Sequence, residues 1–266
     1  MVKNIKFRNK NIVYRDKGSG KPVIFLHGYL ECSQVWDEFT SGLPENFRSL
    51  AVDLPGHGGS AVYGNEHSMA FMADAVKAVM DAEGINNAMM VGHSMGGYVS
   101  LAFVDKYPSS LLAWCLFHSH PFADSEEVIN NRKREIKAVS SGKKNMLYPD
   151  NVSKMFADFN TGRFSDELQR HKHIASDITA EGIIAVLNGM IKRPSRIHVL
   201  ERGDVPLLMI LGKHDNYIPC EEMKNSIDLP ENADLLVLER SGHLGFVEEK
   251  AETQKALSSF YMKQLY

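Results

Sequence analysis

The chain has 266 residues, room for one or two domains and for a core that hides ~75% of the unfolded chain's surface. Its 30 Lys and Arg against 33 Asp and Glu give a formal net charge of -3, and 44% of its residues are hydrophobic; a basic nucleic-acid footprint and a disordered chain are both excluded. No stretch reaches the roughly 18 consecutive apolar residues of a membrane span. The basic start, MVKNIKFRNK, lacks the apolar run of a signal peptide. Three cysteines without close pairing (Cys32, Cys115, Cys220) suit a reducing compartment, so a cytoplasmic protein is expected.

Residues 5–7 and 12–14 flank the turn-prone Asn9-Lys10-Asn11 and predict a hairpin. Short apolar runs follow at 23–26, 50–52, 88–91, 111–117, 207–211 and 235–238. Runs of this length without polar alternation predict strands covered on both faces of a parallel sheet. Segments with helical spacing lie between several of them, such as Tyr98, Leu101, Ala102 and Asp105. That alternation implies right-handed crossovers, an α/β architecture, and ligand sites at the carboxyl ends of the strands.

Between residues 121 and 194 the alternation stops. Asp124-Ser125-Glu126-Glu127 reads as a helix start leading into Val128, Ile129, Arg132, Ile136 and Val139. Val152, Met155, Phe156 and Phe159 fall at i, i+3, i+4 and i+7, and Ile183, Ile184, Leu187 and Ile191 form a later stripe. An insertion of about three or four helices is predicted, with Pro121 and Pro194 as its breaks.

The strongest chemical signal is Gly92-His93-Ser94-Met95-Gly96-Gly97, which directly follows the strand at 88–91 and precedes a helix. This is G-x-S-x-G in the strand–turn–helix setting where the turn presents the serine hydroxyl and the glycines avoid a clash. The following helix aims its N-terminal N–H groups at the same place, where negative charge would develop. Three further segments end other strands. His27-Gly28-Tyr29 offers a loop N–H that can join that of Met95 in an oxyanion hole. Gly212-Lys213-His214-Asp215 and Ser241-Gly242-His243 supply a carboxylate and a histidine in the chain order Ser…Asp…His. A serine hydroxyl is a poor nucleophile at neutral pH; His243 as general base, oriented by Asp215, would activate Ser94.

These motifs resemble the α/β-hydrolase superfamily over essentially the whole chain, and Asp53-Leu54-Pro55-Gly56-His57-Gly58-Gly59-Ser60 resembles the D-x-P-G-x-G-x-S loop of its epoxide-hydrolase, esterase and lipase-like members. The resemblance implies the α/β-hydrolase fold: a mostly parallel eight-stranded sheet with helices on both faces. Residues 1–120 and 195–266 would form the core domain and 121–194 an inserted helical cap. It implies Ser94 as nucleophile, Asp215 as acid, His243 as base, the N–H groups of Tyr29 and Met95 as the oxyanion hole, and no cofactor. Some members carry the acid after the sixth strand, where Asp124 is the alternative.

A serine at the nucleophile position argues against haloalkane dehalogenases and soluble epoxide hydrolases, which attack through a carboxylate. The reaction class left is acyl transfer to water. A serine hydrolase cleaving a small carboxylic ester or related acyl bond is expected, with a small-molecule acyl substrate and neither nucleic acid nor membrane as partner. A carbon–carbon bond hydrolase with the same triad and a slow-turnover small-molecule receptor are the alternatives.

Other residues have weaker readings. His118 and His120 end the sixth predicted strand and either line the pocket floor or are hydrogen-bonded strand-end histidines. Phe156, Phe159, Leu187 and Met190 either form apolar pocket walls that select acyl length or pack on one another. His27, His57 and His93 beside the motifs read as backbone-bonded structural histidines, Cys32 as a small helix-face residue, and Arg132-Lys133-Arg134 as a solvated helix face. No metal site is expected, since neither His118-Ser119-His120 nor His171-Lys172-His173 has converging ligands with zinc-site spacing.

Overall fold

The computed structural model describes residues 1–265. Its strands are β1 (Val2–Phe7), β2 (Lys10–Gly18), β3 (Lys21–Leu26), β4 (Phe47–Val52), β5 (Ala88–His93), β6 (Leu111–Phe117), β7 (Leu207–Gly212) and β8 (Ala233–Leu238). They form one eight-stranded sheet in the order β1-β2-β4-β3-β5-β6-β7-β8. β2 pairs antiparallel with β1 and β4, and every pairing from β4 to β8 is parallel. Each predicted apolar run is a strand. The interior ones, β5 and β7, are buried along their whole length, while the edge strand β1 alternates exposed and half-buried residues.

The hairpin is tighter than its sequence suggested. Arg8 and Asn9 take φ of 46° and 65°, and Phe7 pairs directly with Lys10, so Lys10 and Asn11 belong to β2. Two successive left-handed residues are the hairpin turn whose twist matches that of the flanking strands.

Strand order reverses beside β3: the chain passes from β3 to β4 on one side, then returns to β5 on the other. The crevice at the carboxyl ends of β3 and β5 is where such sheets bind ligands. The loop holding Gly28 and Tyr29 leaves β3 there, and Ser94 leaves β5. The Asp53 loop buttresses this edge. Asp53 accepts the N–H of Ser33 at 2.7 Å and that of Gly59 at 2.9 Å, tying the segment after β4 to the one after β3.

Between β6 and β7 the chain folds into helices Glu126–Ser140, Lys144–Ser153, Ser165–Asp177 and Ala180–Ile191, followed by Ile197–Arg202. Side-chain caps start two of them: Ser125 accepts from the Val128 N–H and Thr179 from the Gly182 N–H. The stripe expected through Met155, Phe156 and Phe159 does not lie on one α-helix, with Phe159 in a short 3-10 turn, Asp158–Asn160. Its helix stops at Ser153, because the backbone beyond it bonds to the segment after β8 instead: Met155 O accepts the His243 N–H at 2.7 Å, and the Ala157 N–H donates to Glu248 at 2.9 Å. Among the described residues no single helix is long and apolar enough to cross a membrane.

Candidate active site

β5 runs into a turn at Ser94 with φ 50° and ψ −113°, a conformation that costs a non-glycine residue about 1–3 kcal/mol. The Ser94 N–H donates to Phe117 O at 2.9 Å, and Ser94 O accepts the Gly97 N–H at 2.9 Å and the Ser119 hydroxyl at 2.8 Å. The flanking glycines are needed for close approach. A Cβ on Gly92 would lie 2.3 Å from Ser100 Oγ, and one on Gly96 would lie 2.5 Å from the Leu26 carbonyl oxygen. Ser94 is half-buried between fully buried neighbours, so the turn offers one hydroxyl to the crevice.

Met95 opens the helix Met95–Lys106, and its N–H is one of the orphan donors every helix start leaves. Neither this N–H nor that of Tyr29 has a backbone acceptor among the described residues.

The segment after β8 brings in His243, whose Nδ1–H donates to Asp215 Oδ2 at 2.7 Å. That bond places the proton on Nδ1 and leaves Nε2 with its lone pair, the tautomer a general base needs. Asp215, at the end of β7, is fully satisfied. Oδ2 also accepts from His118 Nδ1 at 3.1 Å, and Oδ1 accepts the N–H groups of Tyr217 and Ile218 at 2.8 and 2.9 Å. Burial opposes charge on Asp215, but His243 and His118 outweigh it and hold the carboxyl well below the ordinary carboxylate range. Burial pushes His118 down to about 4, so it is a neutral donor.

His118, Asp215 and His243 also form a group of potential metal ligands, their atoms within 4.8 Å of one another. Their 2.7 and 3.1 Å separations are hydrogen-bond lengths through the same oxygen. Hydrogen bonding therefore accounts for the cluster.

Ser94, His243, Tyr29 and Met95 face a cavity of about 1020 Å³, at the upper end of small-ligand sites. Met155 and Met190 wall it from the insertion, Ile218 and Met223 from the segment after β7. Part of its lining is polar and includes Tyr98, His120, Asp124, Arg132 and Glu135; the Tyr29 hydroxyl donates to Glu135 at 2.8 Å, and Tyr98 Oη lies 3.2 Å from His120 Nε2. Burial raises the Glu135 carboxyl above its ordinary value and lowers His120 to about 4.

Several expectations need correction. Of the four apolar residues expected to wall the pocket, Met190 does so. Phe156 is buried behind the cavity against Phe164 and His171, Leu187 is buried in its helix, and Phe159 is 55% exposed and lies edge-on against His214. The cause for both phenylalanines is the helix end at Ser153, which removes the stripe they were read from. His120 lines the cavity, whereas His118 lies beneath it as the second donor to Asp215. Asp124 is not near His243 by bonding: its carboxylate takes Arg132 Nε at 2.8 Å and Arg193 Nη1 at 2.6 Å. Arg132 therefore turns to the cavity rather than to solvent, unlike its exposed neighbours Lys133 and Arg134. His27 is backbone-bonded, to Leu54 N–H and Gly28 O, whereas both ring nitrogens of the buried His57 are without a hydrogen-bond partner among the described residues. The Cys32 thiol is pushed up to about 12 by burial, so it is inert at neutral pH.

The sequence reading passed over Glu31 and Arg193, both buried here. Glu31 had one available signal, a carboxylate inside the otherwise uncharged stretch from His27 to Val35.

The comparisons agree with this architecture. A model of the alpha/beta hydrolase fold family matches residues 21–171. The chain is 29% identical over 257 residues to a bifunctional esterase/perhydrolase of Acinetobacter calcoaceticus, covering 91% of this chain and 92% of that protein. It is 28% identical over 248 residues to the dihydrolipoyllysine-residue acetyltransferase component of an acetoin cleaving system from Pseudomonas putida; the match spans 92% of this chain and 64% of that protein. Among solved structures, it is similar to a thermophilic esterase from Thermogutta terrifontis, determined with malate bound, at a TM-score of 0.90 and 25% identity, covering 96% of this chain and 94% of the other.

Proposed function

Because the chain belongs to the alpha/beta hydrolase fold family and is a hydrolytic enzyme, we propose that it is a serine hydrolase that cleaves a small carboxylic ester through an acyl-enzyme on Ser94. The observation that carries this reading is that Ser94, on its left-handed turn, and His243, its Nδ1 bonded to Asp215, open onto one cavity.

Ser94 Oγ attacks the acyl carbon as its proton passes to His243 Nε2. The developing oxyanion lies between the N–H groups of Tyr29 and Met95, neither of which has a backbone acceptor among the described residues. Asp215 stabilises the imidazolium, which then gives its proton to the departing alkoxide. Water, deprotonated by His243, releases the acid and restores Ser94. Proton transfers and the oxyanion donors are sufficient for every step.

Residues 121–194 act as a cap over this site, contributing Met155 and Met190. The polar lining that includes Tyr98, His120, Arg132 and Glu135 favours an ester that carries a polar group over a purely aliphatic one. The relatives support an ester substrate by what their names say of them: an esterase/perhydrolase and an esterase with malate bound.

A panel of aryl esters, thioesters, amides and vinylogous diketones, each run against Ser94→Ala, tests the reading. Ester turnover that Ser94→Ala abolishes is the expected result. Turnover of the diketones alone, or a single hydrolytic event per molecule of protein, would overturn it.

A further inference from the structure

A second carboxylate–histidine cluster lies under the site. Glu31 and His93 are both 0% exposed. Glu31 Oε2 accepts the Gly28 N–H at 2.5 Å and meets His93 Nδ1 at 2.9 Å, while His93 Nε2 meets the backbone carbonyl of His243 at 2.8 Å. Both ring nitrogens of His93 thus face oxygen acceptors. The His243 carbonyl can only accept, so Nε2 carries a proton. The second proton lies between Nδ1 and Oε2. An oxygen that already accepts an amide N–H at this length holds negative charge better than it holds a proton, which places that proton on Nδ1.

We propose that Glu31 and His93 are positioning residues, a buried carboxylate–imidazolium pair that ties together the loop bearing the Tyr29 N–H, the nucleophile turn at Ser94 and the backbone of His243. The inference rests on the roles proposed above for Ser94 and His243.

Each link in the pair is short and specific. Gly28 precedes Tyr29, and a Cβ there would lie 2.8 Å from His93 Nδ1 and 2.9 Å from Glu31 Oε2, so the loop lies flat on the pair. His93 precedes Ser94 in the chain and is covered by Trp36, Phe117 and Phe246, which keep water from competing for its bonds. Burial disfavours charge on both members. Their mutual attraction and hydrogen bond outweigh it, holding the Glu31 carboxyl down to about 2 and raising His93 above its ordinary value.

The titratable groups facing His93 come from every packed segment. Glu31 lies on the loop after β3, and behind it His171 Nδ1 of the helix Ser165–Asp177 is 4.0 Å from Glu31 Oε1. The His243 ring is 4.8 Å away centre to centre and the His118 ring 6.1 Å, both bonded to Asp215; His27 is a weaker neighbour. Burial lowers His171 to about 4 and His118 to about 4, so both are neutral near pH 7. The positive end of the pair therefore points at His243 and the negative end away from it. The positive charge that forms on His243 during the proposed reaction meets a like charge on that side.

Glu31→Gln separates charge from geometry. Because the Gly28 N–H and His93 Nδ1 meet the same oxygen, an amide oxygen in its place accepts from Gly28 and from the Nδ1–H of a His93 that is now neutral, at the cost of the Nε2 bond to the His243 carbonyl. Glu31→Ala removes both. Nitrogen-15 spectra of the full-length protein at about pH 6, within the window where both members of the pair are held charged, with His93 assigned through His93→Gln, read the ring directly. Two protonated ring nitrogens in the wild type and one in Glu31→Gln are expected; a singly protonated wild-type His93 overturns the ion pair. In ester hydrolysis, Glu31→Gln should move the acid limb of the pH–rate profile to higher pH and lower kcat by less than tenfold. Glu31→Ala should lower kcat roughly 10²-fold with KM little changed, the cost of a displacement near 1 Å. An unmoved limb in Glu31→Gln, or undiminished kcat in Glu31→Ala, overturns the positioning role. If Ser94→Ala stays active the esterase reading fails, while the nitrogen-15 result stands on its own.

Discussion

Two buried carboxylates in this molecule each gather two histidines, and the clusters differ in what their rings have left to offer. Asp215 takes Nδ1 of both His243 and His118, and among the described residues no protein group bonds His243 Nε2. Glu31 takes Nδ1 of His93, whose Nε2 is fixed on the His243 carbonyl, and has His171 at 4.0 Å. In the roles we propose, one free nitrogen facing a cavity makes a base and two occupied nitrogens make a strut. The same residue types would then divide into proton transfer and positioning by a single hydrogen bond, and the two clusters touch through His243 itself.

The largest effect that would break this division is at Asp215. Asp215→Asn should leave the protein folded and lower kcat on the order of 10⁴-fold: four N–H donors converge on the carboxylate, so an amide oxygen kept on the Tyr217 and Ile218 N–H groups turns its NH₂ to the histidines and the base loses its tautomer. Circular dichroism with ester kinetics checks it. A loss under about tenfold would be no more than one ordinary hydrogen bond is worth and would remove Asp215 from the reaction.

Next in size is the stability of the strut. Glu31→Ala leaves a buried histidine whose charge has no partner, and truncating one member of such a pair costs about 3–5 kcal/mol. Denaturant unfolding should show that loss, and wild-type stability in Glu31→Ala would contradict a buried ion pair.

His118→Gly sharpens the account of the Asp215 cluster. His118 sits at φ 47°, which glycine takes without strain, and glycine offers no side-chain donor. Losing its donor leaves Asp215 a stronger acceptor for His243, which favours the protonated base. The acid limb of the pH–rate profile should move up, with a rate loss of up to about tenfold at low pH and little change on the plateau. A limb that stays in place would make His118 a packing residue.

The smallest effect is the pH dependence of the strut's stability. The Glu31 carboxyl is lowered to about 2, so its contribution is complete above its unfolded value of ~4.3 and fades as pH falls through about 2. His93 is raised, so its contribution is complete below its unfolded value of ~6.5 and fades as pH rises through the higher folded value. The stability difference between wild type and Glu31→Gln should therefore be greatest between about pH 4.3 and 6.5. A flat difference across pH 3–9 would argue against charge on the pair.

The two clusters also differ in how far the sequence announced them. Ser94, Asp215 and His243 each end a strand behind a short motif, and strand ends of a parallel sheet converge, so local pattern was enough to bring them to one crevice. Glu31 and His93 are 62 positions apart, and their pairing depends on how the loop after β3 lies against β5, which no periodicity encodes. The insertion was legible as helices but not in its contacts. Helical spacing through Phe156 and Phe159 was real in the sequence, yet the backbone there found better partners in the segment around His243 and Glu248. Tertiary hydrogen bonds overrode a local pattern, and the pocket wall read from it went too. Arg132 shows the same limit, since spacing places it on a helix face but only packing shows that Asp124 lies opposite.

The central claim, that Ser94 is the activated nucleophile of a hydrolase, is tested most directly by covalent labelling. A fluorophosphonate should add once per chain, with peptide mapping placing the adduct on Ser94, and the reaction should vanish in Ser94→Ala and slow sharply in Asp215→Asn. No adduct, or an adduct on another serine in the wild type, would contradict the account.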